Sequence, residues 1–181
     1  MEQPNLLMLI GIPGCGKSSW LAGFQDSPCI PVQTGRSLRG HYVFIDYVPY
    51  IIVCPDTIRQ SYGDINDQSK NVLVWQEAKG LTIDRLYCGV SVIIDATNVD
   101  VIRRGEFLAG LPPCRKLVKI FSVNPEEAYR RIKKDLDEGK QRSKVPEGTV
   151  YRMYGEFLYT LRVIASEGFE FLNHSGKIVE K

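Results

Sequence analysis

Lys17 and Ser18 close the octapeptide Gly11-Ile12-Pro13-Gly14-Cys15-Gly16-Lys17-Ser18, which combines three glycines with a cation and a hydroxyl. Glycines in this pattern let the backbone wrap an anion with its N–H groups, and a following helix N-terminus adds positive potential. The lysine of such a loop reaches the β- and γ-phosphates of a nucleoside triphosphate, and the hydroxyl ligates Mg²⁺. The context suits this chemistry: Leu6–Ile10 reads as a buried strand and residues 17–25 as a helix. Gly11, Pro13, Gly14, Cys15, Gly16, Lys17, Ser18 and Ser19 are therefore the candidate nucleotide-binding residues. Cys15 fills a free loop position as a small side chain.

A second group follows the apolar stretch Ile51–Cys54. Asp56 and Arg59, three residues apart, stand at a strand end, where open α/β sheets bind ligands. Phosphoryl transfer to a hydroxyl needs a carboxylate to take the proton and cations to steady the phosphates. Asp56 suits the first task, yet an aspartate there equally suits capping a helix that begins at Thr57. Between residues 130 and 144 lie seven basic side chains against three acidic ones. A solvated helix face explains most of these charges, but cations over a transferring phosphate also have this composition.

The elements that must position these groups alternate. A strand or hairpin broken near Pro49 is expected over 41–54, with Ile51–Cys54 as a core strand. A helix follows over 68–88, with Val72, Trp75, Lys79, Ile83 and Leu86 or Tyr87 on its packed face. Val90–Ile94 reads as a strand ending at Asp95, Arg103–Leu111 as a helix, and Leu117–Val123 as a strand. Pro125 opens a charged helix, and Pro146 a last long one to about residue 166. Strands alternating with helices imply an α/β fold, a central parallel sheet with helices on both faces. No linker divides the chain, so residues 1–181 are read as one domain.

Four segments in order, Gly11–Trp20, Asp56–Ser61, Ile93–Asn98 and Lys144–Met153, resemble the kinase domain of the polynucleotide 5′-hydroxyl kinases of phage and bacterial type. The resemblance spans nearly the whole chain except about 27–50. It implies a P-loop kinase fold with a helical lid at about 126–146, ATP and Mg²⁺ as cofactors, and a 5′-OH DNA or RNA end as substrate, in a setting of nucleic acid repair. It implies Asp56 as general base, Arg59 on the acceptor's neighbouring phosphate, Thr97 and Asn98 at the acceptor, and Asp95 with Ser18 at the metal. Arg131 matches the first lid arginine, and Arg142 is preferred to Lys134 as the second clamp because a guanidinium binds phosphate oxygens as a fork. Residues 27–50 are longer than the family pattern. Tyr42, Phe44, Tyr47 and Tyr50 there suit base stacking or ordinary packing.

Composition narrows the alternatives. With 44% hydrophobic and 24% charged residues and a net charge of +2, the chain is an ordinary globular protein without a global basic field. The five cysteines show no metal spacing. Free thiols and the absence of a long apolar segment imply a reduced, cytoplasmic protein that crosses no membrane. No Asn-Lys-x-Asp guanine signature is present, and Asp135-Leu136-Asp137 lacks the preceding strand of a phosphatase motif. Two other readings remain open. One is a small-molecule kinase acting on a nucleoside, sugar or antibiotic hydroxyl, the other a silent nucleotide-binding module.

Overall fold

The computed structural model describes residues 3–24, 26–27, 42–45, 48–140 and 142–179. Most of the 27–50 insertion, including Tyr47, therefore lies outside the described residues. The sheet is built around β1 (Asn5–Ile10), whose residues Leu6–Ile10 are all fully buried. β1 runs parallel to β5 (Ser91–Ile94) on one side and to β6 (Arg115–Ile120) on the other. β4 (Val48–Val53) extends the sheet parallel to β5, and β7 (Glu170–Phe171) parallel to β6. β3 (Tyr42–Ile45) pairs antiparallel with β4, and β2 (Asp26–Ser27) with β3. The order is β2-β3-β4-β5-β1-β6-β7. Because β1's neighbours come from opposite directions of the winding, its carboxyl end is the switch point where a ligand crevice opens.

Helices α1 (Lys17–Leu21), α2 (Pro55–Ser61), α3 (Asn71–Tyr87), α4 (Val101–Leu108), α5 (Pro125–Asp137) and α6 (Glu147–Val163) flank this sheet. The result is the mostly parallel α/β arrangement of P-loop kinases. Proline opens α2 and α5 at their first turns, as its fixed φ and missing N–H allow. Asn124 caps α5 by accepting from the Glu127 amide at 2.8 Å.

Several expectations need correction. The strand expected over Leu117–Val123 runs Arg115–Ile120 instead. The first helix ends at Leu21, not residue 25: Gly23, a poor helix residue, follows at once, and Asp26–Ser27 join the sheet edge. Of the expected face of α3, Leu86 is buried and Trp75 packs against the core, but Val72 and Tyr87 are over 70% exposed, and the other buried positions are Val74, Ala78 and Thr82. Ala78 and Thr82 are small enough to let the helix lie close to the sheet, and Thr82 returns its hydroxyl to the Ala78 carbonyl at 2.8 Å. α4 begins at Val101 because Asp100 caps it, accepting from the Ile102 and Arg103 amides at 3.0 and 3.1 Å.

A polar knot sits inside this otherwise apolar packing. Arg104 is only 2% exposed and grips Glu167 through Nε at 2.8 Å and Nη2 at 2.5 Å. Its Nη1 donates to the Asn98 carbonyl at 2.6 Å and to Thr160 Oγ1 at 3.3 Å. Thr160 in turn donates to the Val99 carbonyl at 2.6 Å. The chain just after β5 is thereby tied to α4, α6 and the turn at Ile164–Glu167. Removing one partner of a buried ion pair leaves the other without compensation, at roughly 3 kcal/mol. Arg104→Met should therefore lower unfolding free energy by about that amount in urea titration. A loss below about 1 kcal/mol would show that the knot is dispensable.

Candidate active site

The cradle turns sharply off the end of β1; space requires Gly11 and Gly14, whereas at Gly16 a positive φ of 100° does. A Cβ on Gly11 would stand 2.6 Å from Cys15 Sγ and 2.7 Å from the Phe121 carbonyl oxygen. Gly14 has φ +81° and faces the Ala128 carbonyl, which a Cβ would meet at 2.4 Å. α5 therefore packs directly onto the cradle. Lys17 Nζ donates to the carbonyls of Gly11 at 2.8 Å and Ile12 at 3.2 Å, within the loop itself.

The loop after β5 is bonded to the cradle from the other side. The Gly11 amide donates to the Thr97 carbonyl at 3.0 Å. Asn98, with φ 49°, donates its carboxamide to the Leu9 carbonyl at 2.8 Å and to the Ile94 carbonyl at 3.3 Å. Asn98 is thus buried with its amide engaged on backbone. It does not line the cavity, which corrects its expected place on an acceptor. Thr97 does line it.

The cavity over the cradle holds about 780 Å³, within the ordinary range for a small-ligand site. Pro13, Gly14, Gly16, Lys17, Ser18 and Ser19 form its floor. Asp56 and Asp95 enter from the ends of β4 and β5, and Arg131, Lys134, Lys140 and Arg142 cover it. Gly11 and Cys15 support the floor from beneath, both buried. The competing use of Asp56 as a helix cap is overturned: α2 starts at Pro55 with Cys54 at the N-cap, so Asp56 already lies in the first turn. Its side chain is half-exposed; Oδ1 accepts from Arg59 and Oδ2 from Ser143 Oγ at 3.3 Å.

Arg59 departs most from expectation. It is 4% exposed, bonds Asp56 and Asn71 Oδ1 (2.7 Å), and is not among the lining residues. In this conformation it holds Asp56 in place and offers no fork to a phosphate. Both lid arginines line the cavity. Arg131 bonds Glu127 at 2.7 Å, and Arg142 bonds Asp135 Oδ2 at 2.6 Å with a buried Nε that lacks a partner among the described residues. Lys134 lines it as well, so position alone does not separate it from Arg142. Asp135 sits on helix α5 and accepts from Lys140 and Arg142, consistent with the rejection of a phosphatase motif. Tyr50 is buried, its hydroxyl accepting from Asn5 Nδ2 at 2.9 Å, so packing is the reading that fits it.

Sequence reasoning missed Ser143 and the acidic partners Glu127 and Asp135. The only signal was spacing: Ser143 stands between Arg142 and Lys144, and Glu127 and Asp135 lie three to seven residues from the lid cations that they bind.

Ser18 and Asp95 offer hard oxygens on one cavity, a donor set that fits Mg²⁺, which takes few protein ligands and completes its shell with phosphates and water. No cluster of three or more His, Cys, Asp or Glu able to hold a metal occurs among the described residues. Burial pushes the Asp95 carboxyl above the usual aspartate range; the Lys17 ammonium pulls it back in part, and Asp56 adds to the rise. Ionised Asp95 thus opposes folding. That cost is full above the raised pKa, and it vanishes as pH falls through that value to the ordinary aspartate range. Asp95→Asn should accordingly raise Tm at pH 8, by an amount that shrinks toward pH 4. A Tm equal to or below the parent's at pH 8 would contradict the buried-charge account.

Residues 6–158 match the family model described as AAA domain. No curated protein matches the chain in sequence. Among solved structures, a chain of the Pnkp1/Rnl/Hen1 RNA repair complex is similar at 19% identity and TM-score 0.65 over 90% of this chain. A chain of a second Pnkp1/Rnl/Hen1 complex is similar at 21% identity and TM-score 0.51 over 81%. This chain spans under half of those two, 46% and 42% of their lengths. A structure from the PezAT chromosomal toxin–antitoxin system of Streptococcus pneumoniae is similar at 13% identity and TM-score 0.56, covering 99% of this chain and 72% of its own. At such identities the likeness is one of fold. The family match runs from the first residues of β1 into α6 and takes in the cradle, Asp56, Asp95 and the lid cations, and the chain belongs to the AAA domain family of P-loop proteins.

Proposed function

We propose that this chain is an ATP-dependent kinase that transfers the γ-phosphoryl group to the 5′-hydroxyl end of DNA or RNA. The observation that carries the reading is one cavity with Lys17 on its floor, a half-exposed Asp56 carboxylate at its wall and four cations across its top. The cradle amides and Lys17 would hold the donor's phosphates. Asp56 takes the proton of the attacking hydroxyl, kept in place by Arg59. Arg131 and Arg142 face the charge that spreads over the transferring group. Mg²⁺ held by Ser18 and Asp95 would supply neutralisation of the β- and γ-phosphate oxygens.

The polynucleotide acceptor is supported by the four ordered motifs and by the likeness to chains of an RNA repair complex. One observation favours the rival, a small-molecule kinase: Arg59, the expected phosphate anchor, is buried. The remaining cations able to take an acceptor phosphate are on the lid. No helix among the described residues is long and apolar enough to cross a membrane.

Two measurements test the reading. Asp56→Asn keeps an oxygen for Arg59 but is a far poorer proton acceptor, so kcat should fall roughly 10²-fold or more with unchanged circular dichroism. Full retention of kcat would remove Asp56 from the chemistry. The acceptor itself is tested by comparing kcat/KM for a nucleoside, its 3′-monophosphate and a short 5′-OH oligonucleotide. A charge-assisted contact to the 3′-phosphate should favour the latter two by about 10- to 150-fold, from roughly 1.5–3 kcal/mol. Equal use of nucleoside and 3′-phosphate would make the small-molecule reading the better one.

A further inference from the structure

The lid places a hydroxyl of the chain itself against the proposed base. Ser143 Oγ donates to Asp56 Oδ2 at 3.3 Å, and Ser143 lines the phosphate cavity together with Lys17, Ser18 and Arg131. Both of its neighbours are tethered, one by its side chain and the other by its backbone amide. Arg142 bonds Asp135 at 2.6 Å, and the Lys144 amide donates to Asn66 Oδ1 at 2.8 Å. Arg59 holds the other carboxylate oxygen, so Oδ2 is the one that faces the lid. An acceptor hydroxyl must make the same contact with a general base, at a distance that is often long before the reacting complex forms.

We infer that Ser143 is an internal phosphoryl acceptor, modified by the chain's own activity when no polynucleotide end occupies the site. The step rests on the proposed kinase activity and balances with ATP alone as donor. Ser143 Oγ forms the bond to the γ-phosphorus, the bond from that phosphorus to the β–γ bridging oxygen breaks, Asp56 takes the serine proton, and ADP leaves. The product would carry about −1.5 to −2 charges beside Arg142, in a cavity that Lys134 and Lys140 also line. Charge-assisted bonds to these cations hold the phosphoserine over Asp56 and keep an incoming hydroxyl away. Bound acceptor and Ser143 therefore exclude one another. Self-modification suppresses transfer, and a 5′-OH end suppresses self-modification.

The test uses the full chain with γ-labelled ATP and Mg²⁺, with and without a 5′-OH oligonucleotide. Digestion at glutamate places Ser143 in a peptide beginning after Glu138 and ending at Glu147, suitable for mass spectrometry. Expected is one phosphate on Ser143, formed at a rate independent of protein concentration and reduced when the oligonucleotide is saturating. Ser143→Thr should move the label to threonine, and Asp56→Asn should slow labelling by about 10²-fold. An unlabelled chain, a label on another residue, or a rate that rises with protein concentration overturns the inference while labelled oligonucleotide leaves the kinase reading standing. Absence of label from both chain and oligonucleotide overturns both.

Discussion

The end of β1 and the end of β5 are joined by two hydrogen bonds, from the Gly11 amide to the Thr97 carbonyl and from the Asn98 carboxamide to the Leu9 carbonyl. Everything chemical in this molecule is referenced to that junction. It fixes the first glycine of the cradle against the loop that begins at Asp95, and so sets Lys17 and Ser18 relative to the carboxylate opposite them. Asn98 takes up φ 49° to make its bonds, a region that asparagine tolerates better than most side chains. The Arg104–Glu167 pair then secures the Asn98 carbonyl from behind. The site is rigid where phosphate must be held, because its floor is backbone pinned by backbone.

The roof is built differently. Its cations are paired with acids of the same lid: Arg131 with Glu127, and Lys140 and Arg142 with Asp135. Hydrogen bonds from Arg130 and Arg131 pull the Glu127 carboxyl down to about 2, so it stays ionised at any physiological pH. These partners orient the guanidinium groups without holding them strongly. Water screens the exposed pairs of Arg131 and Lys140, so an anionic phosphate in a partly desolvated cavity competes well against them, while the Arg142–Asp135 pair is more sheltered. Arg142 has further capacity, since its buried Nε has no partner among the described residues.

The cradle was legible in the sequence because each of its residues answers a local backbone demand that glycine, lysine and serine meet within eight positions. β1 and β5 were legible too, as unbroken apolar runs, but β6 carries lysines within its run, and the two-residue strands β2 and β7 left no such signal. The face of α3 was not, since a search for large apolar residues passes over Ala78 and Thr82, whose smallness is what lets the helix approach. Arg59 and Asn98 show a second kind of limit. A motif tells that a polar side chain is present, and their burial among Asp56, Asn71 and backbone carbonyls depends on contacts that the motif does not contain. The Arg104–Glu167 pair spans 63 residues, and nothing local marks either member.

Asp56 is where the rigid floor and the weakly paired roof meet. One carboxylate oxygen is held by a buried arginine that cannot easily move, because its guanidinium also bonds Asn71 and has no water to return to. Among the described residues, the other oxygen meets only a serine hydroxyl on the lid, at the long end of hydrogen-bond range. The base is thus fixed in orientation and open to exchange at one lone-pair site. A substrate hydroxyl can replace Ser143 at small cost, because one hydroxyl–carboxylate bond substitutes for another. Discrimination between acceptors must then come from the groups around that hydroxyl, and the nearest candidates are the cations of the lid. A buried Arg59 therefore shifts the burden of recognising an acceptor's phosphate from the sheet to the roof.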